Sequence, residues 1–273
     1  MLKHAIDLPG VGNARELGGY AIGDRRVKDG VLLRTGDLGR AAQEAIERLH
    51  SEYHVQTVVD LRMNVERDIQ PDPQIPGATN RGLSIIEMED FPIPDGMDPS
   101  KLELLNDPTA NRMEMFELAY ESGAVGPNMY VSFLTGERGK KSFADFFSEL
   151  LKLEDGRAIL WHCTDGKDRT GCVAMLVLSA LGADRQTVLE DFLLTNAYNT
   201  ARIDAAMRYF NTESMSADKL EVLRVMVGGV EGSYMERAMD VLEERYGSVK
   251  GYLLDELGVG KAEIDWLRDL LLV

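Results

Sequence analysis

The chain has 273 residues, of which 44% are hydrophobic and 28% charged, with two cysteines and a formal net charge of −16. This composition describes a globular protein long enough to bury a sizeable core, and it excludes disordered, fibrous and disulfide-scaffold classes. The 46 acidic residues against 30 basic ones argue against nucleic acid as a partner, because binding it needs clustered Lys and Arg.

In chain order, residues 8–20 are rich in Gly and read as an irregular entry segment. Residues 31–34 form a short apolar run and predict a strand. Residues 41–49 place Ala42, Ala45, Ile46 and Leu49 at helical spacing. Residues 55–61 are β-branched and apolar, which predicts a buried strand, and a helix followed by such a strand predicts an α/β sheet. Residues 68–110 hold seven of the nine prolines, interleaved with Asp and Glu, and read as loop apart from a strand expected near Leu83, Ser84, Ile85 and Ile86. A loop of this length is a lid, a binding loop or a surface insertion, and the role of residues 86–110 stays open. Helical patterning returns over 113–153, and residues 157–161 predict a compact buried strand. Residues 172–181 are apolar nearly all round and predict a central helix ended by Gly182. Beyond Asp184 the amphipathic stretches near 185–198, 217–227, 230–246 and 261–272 predict helices. No linker marks a cut near residue 205, so residues 1–273 are expected to form one domain.

The chemistry concentrates in His162-Cys163-Thr164-Asp165-Gly166-Lys167-Asp168-Arg169-Thr170-Gly171, between the strand at 157–161 and the apolar helix. A Gly-containing loop from strand to helix directs successive backbone N–H groups into one concavity, and the helix end adds partial positive charge. Residues 163–170 are therefore expected to cradle phosphate. A cysteine at the head of that cradle would have its thiolate stabilised by the same donors. Arg169, six positions on, can bind two phosphate oxygens with its planar fork. The expected reaction is in-line attack by the Cys163 thiolate on phosphorus, a phosphocysteine intermediate, and its hydrolysis by water, with a carboxylic acid protonating the departing oxygen.

Cys-x5-Arg between a strand and a helix resembles the signature loop of cysteine-dependent protein tyrosine phosphatases. The fuller form is similar to a bacterial tyrosine and lipid phosphatase subfamily with members in mycobacteria and Listeria. The resemblance extends to Asn13-Ala14-Arg15-Glu16-Leu17-Gly18-Gly19, to Arg34-Thr35-Gly36-Asp37-Leu38, to Asp60-Leu61-Arg62, to Asp191-Phe192-Leu193-Leu194-Thr195-Asn196 and to residues 246–253. It departs at Ala14, where the family has an aromatic residue, and at Glu16, where it has Asp. It implies a small, mostly parallel sheet flanked by helices with a helical C-terminal part, and activity on phosphotyrosine, with phosphoserine, phosphothreonine or phosphoinositides as further substrates. It also implies catalytic roles for Cys163, Arg169 and Asp168. No W-P-D acid loop is found. Asp168 is the first choice of acid because myotubularin lipid phosphatases have a similar loop with Asp before Arg, and Glu87, Glu89, Asp90 and Asp95 are its rivals. A Lys within the loop, here Lys167, accompanies phosphoinositide activity, since a second cation can meet further phosphates.

Other features read as structural. Cys172 fits as core filler, Asp60 and Arg62 as ties at a strand end, His162 as an ordering residue, and Thr170 as a helix cap. Neither a zinc site, a Walker A motif nor a dinucleotide fingerprint is present, so no metal and no cofactor are expected. The expected partner is a phosphorylated protein or phosphoinositide substrate, with no membrane span; the oligomeric state is not readable. Two cysteines and an N-terminus without an apolar signal core point to the cytoplasm, with export independent of such a signal left open. Two other functions remain at this stage: a sulfur-transfer or arsenate-reducing thiol enzyme, and a non-catalytic phosphoprotein-binding module.

Overall fold

The computed structural model describes residues 2–91 and 112–273. β1 (Arg15–Glu16), a small hairpin of β2 (Ala21–Ile22) and β3 (Arg25–Arg26), and β4 (Leu32–Thr35) precede α1 (Gln43–Ser51). Next come β5 (Val55–Asp60), the short α2 (Asn64–Ile69) and β6 (Thr79–Gly82). After a 3-10 turn at Met88–Asp90, α3 (Arg112–Ser122), α4 (Met129–Thr135) and α5 (Glu137–Leu150) lead to β7 (Ala158–His162) and α6 (Asp168–Leu181). The remainder is helical: α7 (Arg185–Tyr198), α8 (Thr200–Met207), α9 (Ala217–Met226), α10 (Gly232–Tyr246), α11 (Val249–Asp255) and α12 (Lys261–Leu271).

Five strands form one sheet in the order β1-β4-β7-β5-β6. β4, β7, β5 and β6 run parallel, and β1 joins β4 antiparallel at the edge. The fold is thus α/β, with a mostly parallel sheet, flanking helices and a helical C-terminal region, as the sequence predicts. β7 is central and buried along its whole length, which suits its unbroken apolar run. Its carboxyl end leads through Cys163 into α6, beside the carboxyl ends of β4 and β5. The Asp37 amide donates to the Thr164 carbonyl at 3.0 Å, and the Leu61 amide to the His162 carbonyl at 2.9 Å. Ligand sites of parallel sheets form at such strand ends.

Two expectations shift. The strand expected at residues 83–86 lies instead at Thr79–Gly82, all four residues exposed, paired with β5 at the sheet edge. An exposed edge strand carries no apolar pattern; the apolar residues that follow it, Ile85 and Ile86, turn into the core. The entry segment contributes β1, too short to show a period of two. Elsewhere the predicted strands and helices recur with ends moved by a few residues, the stretch at 113–153 divides into α3, α4 and α5, α8 and α11 come in addition, and α6 starts at Asp168 rather than Thr170.

α6 touches β4 and β7 on one side and α4, α7, α11 and α12 on the others, so nearly every residue on it is buried. Each large aliphatic side chain so enclosed contributes roughly 1.5–3 kcal/mol. Gly182 ends the helix in the left-handed conformation, at φ 94°. Among the described residues no helix is long and apolar enough to cross a membrane.

A buried ionic knot joins the entry segment, β4 and α7. Arg15 and Arg34 are both fully buried, and they share the single carboxylate of Asp191. Arg15 Nε reaches Asp191 Oδ1 at 3.1 Å and its Nη2 the Thr195 hydroxyl at 3.2 Å, while Arg34 Nη1 takes the other Asp191 oxygen. Burial, with the Arg15 charge adding to it, pulls Arg34 down to about 10 despite Asp191, so this guanidinium still carries charge at neutral pH. Removing the shared counter-charge strands two buried cations. Asp191→Asn is therefore expected to cost about 3–5 kcal/mol, measured as a lowered urea midpoint at unchanged slope.

Candidate active site

The loop from Cys163 to Arg169 is shaped by where its carbonyls go. The Thr164 carbonyl accepts from the Asp37 amide. Asn13 Nδ2 donates to the Asp165 carbonyl at 3.3 Å and to the Gly166 carbonyl at 2.8 Å, and Arg34 Nη2 donates to the Gly166 carbonyl at 3.0 Å. In a trans peptide the next N–H points opposite to the carbonyl. Three outward carbonyls therefore turn the amides of Asp165, Gly166 and Lys167 inward, and those amides have no acceptor among the described residues. Gly166 makes the turn at φ 64°, where a Cβ would collide with the Thr35 carbonyl and the Gly36 amide. Only glycine fits there. Cys163 sits at the head of this nest of donors and is 2% exposed. α6 begins five residues later, so its N-terminus faces the same side.

Arg169 closes the loop. Its Nη1 binds Glu66 Oε2 at 2.5 Å and its Nη2 binds Glu66 Oε1 at 3.0 Å and the Thr164 hydroxyl at 3.2 Å; that hydroxyl also donates to Glu66 Oε1. Glu66 reaches across from α2, where its Oε2 also accepts the Met63 amide at 2.8 Å. Burial opposes ionisation of Glu66, but the Arg169 charge and hydrogen bonds, with those of Thr164 and Met63, hold it down at about 2. Burial likewise opposes the Arg169 charge, and Glu66 first, then Cys163 and Asp168, outweigh it and keep the guanidinium above its ordinary range. The Nη edge of the fork is thus held by Glu66. The Nε side is left for an anion.

Asp168 is gripped on both oxygens, by the Tyr130 hydroxyl at 2.7 Å and by Lys167 Nζ at 3.0 Å. Lys167 is buried and donates to the Val225 carbonyl at 2.5 Å and the Gly229 carbonyl at 3.3 Å, so its ammonium is enclosed by two carbonyls and one carboxylate of the protein. Asp165 pairs at the rim with Arg202 of α8 at 2.5 Å. The Thr170 side chain is buried and its hydroxyl has no partner among the described residues. A cavity of about 300 Å³ adjoins the loop, with Asp168, Arg169, Thr164 and Glu66 on one wall and Met63, Met88, Phe91, Met115, Met129, Phe133 and Met226 on the others.

The rival carboxylates are occupied elsewhere. Glu87 accepts from the Asn64 amide at 2.9 Å, and Glu89 and Asp90 both pair with Arg138. Asp95 lies outside the described residues. Behind the loop, Asp60, Asp72 and His162 bring ligand atoms within 4.8 Å of one another, a spacing open to a metal. Arg62 donates to both carboxylates, at 2.7 and 2.9 Å, and supplies the positive charge there itself. His162 Nε2 meets Asp72 at 2.7 Å and Nδ1 faces the Cys163 carbonyl at 3.3 Å, so the ring ties the start of the loop to the segment between α2 and β6. Cys172 is fully buried; burial, then the Asp168 and Cys163 charges, push its thiol up and keep it protonated.

The family model for the tyrosine phosphatase family matches residues 6–273. The chain belongs to the tyrosine phosphatase family. Membership makes it a cysteine-type phosphatase in the general sense. A Cupriavidus necator protein named for tyrosine-protein phosphatase activity is 29% identical over 96% of this chain and 87% of its own. The triple specificity protein phosphatase PtpB of Mycobacterium tuberculosis is 26% identical over 97% of this chain and 98% of its own. A Nostoc commune tyrosine-protein phosphatase is 25% identical over 87% and 72% respectively.

In this tyrosine phosphatase Thr164, Asp165, Lys167, Asp168 and Arg169 line the cavity, while Cys163, Gly166 and Thr170 belong to the same turn of chain between β7 and α6 without lining it. Glu66 and Tyr130 were not among the expected site residues. The only trace of Glu66 in the sequence is its position three after Met63, at the start of a helix, and Tyr130 carries no signal at all. Because the Glu66 carboxyl is depressed by folding, its contribution is complete above about pH 4.5 and is lost as the pH falls toward 2. Glu66→Gln is expected to lower stability by on the order of 2 kcal/mol at neutral pH and to converge with the parent toward pH 2, checked by urea titrations across that range.

Proposed function

We propose that this protein hydrolyses phosphate monoesters through a phosphocysteine intermediate, as a single phosphatase domain acting on phosphotyrosine. The observation that carries the reading is the set of inward amides of Asp165, Gly166 and Lys167 between Cys163 and Arg169. In the first step the Cys163 thiolate attacks phosphorus, the S–P bond forms, the ester P–O bond breaks, and the Asp168 proton goes to the departing oxygen. In the second step water attacks phosphorus and gives its proton to Asp168, the S–P bond breaks, and phosphate leaves with the thiolate restored. The amides and Arg169 meet the charge on the three equatorial oxygens throughout. The assignment of Asp168 is supported by its place on the cavity wall and by the engagement of Glu87, Glu89 and Asp90 elsewhere.

The apolar cavity wall supports a phenolic substrate over an inositol head group, since methionine and phenylalanine side chains gain from burying an aromatic ring. Lys167, the cation that the resemblance links to phosphoinositides, has its ammonium engaged by two backbone carbonyls and Asp168. A thiol-relay function is disfavoured by the buried, protonated Cys172.

Cys163→Ser is expected to lower turnover of 4-nitrophenyl phosphate by more than about a thousandfold while binding of orthovanadate or phosphate persists. Retained turnover in that variant would refute the reading. In a side-by-side assay, a phosphotyrosine peptide is expected to be cleaved with higher kcat/KM than a phosphoserine peptide or a phosphoinositide; a phosphoinositide in first place would overturn the substrate assignment and leave the mechanism standing.

A further inference from the structure

Tyr130 is completely buried on α4, its ring edge-on to Phe192 at 5.5 Å and to Phe133 at 6.2 Å. Phenylalanine would fill this aromatic nest without the cost of burying a hydroxyl. Among the described residues the hydroxyl has one partner, Asp168 Oδ1 at 2.7 Å, while Lys167 holds Oδ2 at 3.0 Å. We propose that Tyr130 is a positioning residue that aims the Asp168 carboxyl at the oxygen leaving the substrate. The proposal rests on the assignment of Asp168 as proton donor made above.

The geometry explains how the aim is held. Asp168 is the first residue of α6, so its backbone is fixed, yet its side chain can still rotate toward the cavity or away from it. One donor on each oxygen removes that rotation. A carboxyl group has about four lone-pair directions, so two remain for the proton it exchanges with substrate and water. Burial and the adjoining Asp168 charge hold the Tyr130 phenol well above its ordinary range, so it stays a donor rather than becoming an acceptor. Lys167 cannot take over the whole task, because its other N–H groups are committed to the Val225 and Gly229 carbonyls.

A proton donor matters most when the leaving group is poor, which separates aim from general structural damage. The test compares kcat/KM, which reports formation of the phosphoenzyme, for phenyl phosphate and for 4-nitrophenyl phosphate. Tyr130→Phe is expected to lower the first about tenfold and the second no more than about threefold. Asp168→Asn should discriminate between the two esters in the same sense, and adding Tyr130→Phe to it should produce no further discrimination. Phe192→Leu loosens the same ring packing without touching the hydroxyl and should lower both esters alike. Equal losses on the two esters in Tyr130→Phe, or no loss, with Asp168→Asn still discriminating, overturns the role of Tyr130. Lack of discrimination in Asp168→Asn itself overturns the proton-donor assignment and this proposal with it.

Discussion

Everything at this site depends on three carbonyls being held outward. A peptide loop left to itself has no reason to turn several amides the same way, because each carbonyl would rather find its own nearest donor. Here the donors are supplied from outside the loop. Asn13 covers the Asp165 and Gly166 carbonyls, Arg34 covers Gly166 again, and the Asp37 amide covers Thr164. With the carbonyls satisfied on the outer face, the inner face consists of amides with no partner among the described residues. On the function proposed above, that asymmetry is what lets a protein of net charge −16 favour a dianion at one spot.

The demand for such donors explains an otherwise expensive arrangement. Arg34 must lie beneath the loop, where burial disfavours its charge, and Asp191 is buried with it to compensate. Asp191 in turn serves Arg15, which holds Asn13 through its side-chain oxygen and so fixes the amide end of Asn13 toward the loop. The knot therefore has a direction: α7 fixes the arginines, the arginines and Asn13 fix the carbonyls, and the carbonyls fix the amides. Buried ionic groups are weak contributors to net stability, which makes their use here easier to account for by the geometry they impose than by the energy they add. Glu66 acts in a similar way on the other side. It takes one edge of the Arg169 fork and so fixes the plane of the guanidinium.

How much of this was legible in the sequence follows from the physics of each part. β5, β7 and α6 announced themselves because burial on all sides demands an unbroken apolar run, and the run is visible in one dimension. β6 did not, since an exposed edge strand, Thr79–Gly82, is specified by its pairing with β5 rather than by its side chains. The Cys163–Arg169 loop was readable because Gly166 and the Cys163-to-Arg169 spacing are local requirements of one turn of backbone. Arg15, Arg34 and Asp191 were visible as fragments of a resemblance, but their union was not, because the contact spans more than 150 residues. Glu66 and Tyr130 lay deeper still. Each is an ordinary residue on a short helix, and only the packing of α2 and α4 against the loop gives it a partner.

Lys167 illustrates why a residue type in a motif underdetermines its work. As a charge beside an anion cradle it suggests a ligand for additional substrate phosphates. In the folded chain its ammonium meets Val225, Gly229 and Asp168 instead. Val225 lies in the last turn of α9 and Gly229 in the connection from α9 to α10, which is also stitched to the C-terminal end of α7 by Asn196 on Val230 and by Asn199 on Gly228. Arg202 of α8 adds a second tie, to Asp165 at the rim. The C-terminal helices are therefore fastened to the Cys163–Arg169 loop at two of its residues, not merely laid across it. The position of Asp168 accordingly depends on helices remote in sequence: α4 acts on one of its oxygens through Tyr130, and the α9–α10 connection acts on the other through Lys167.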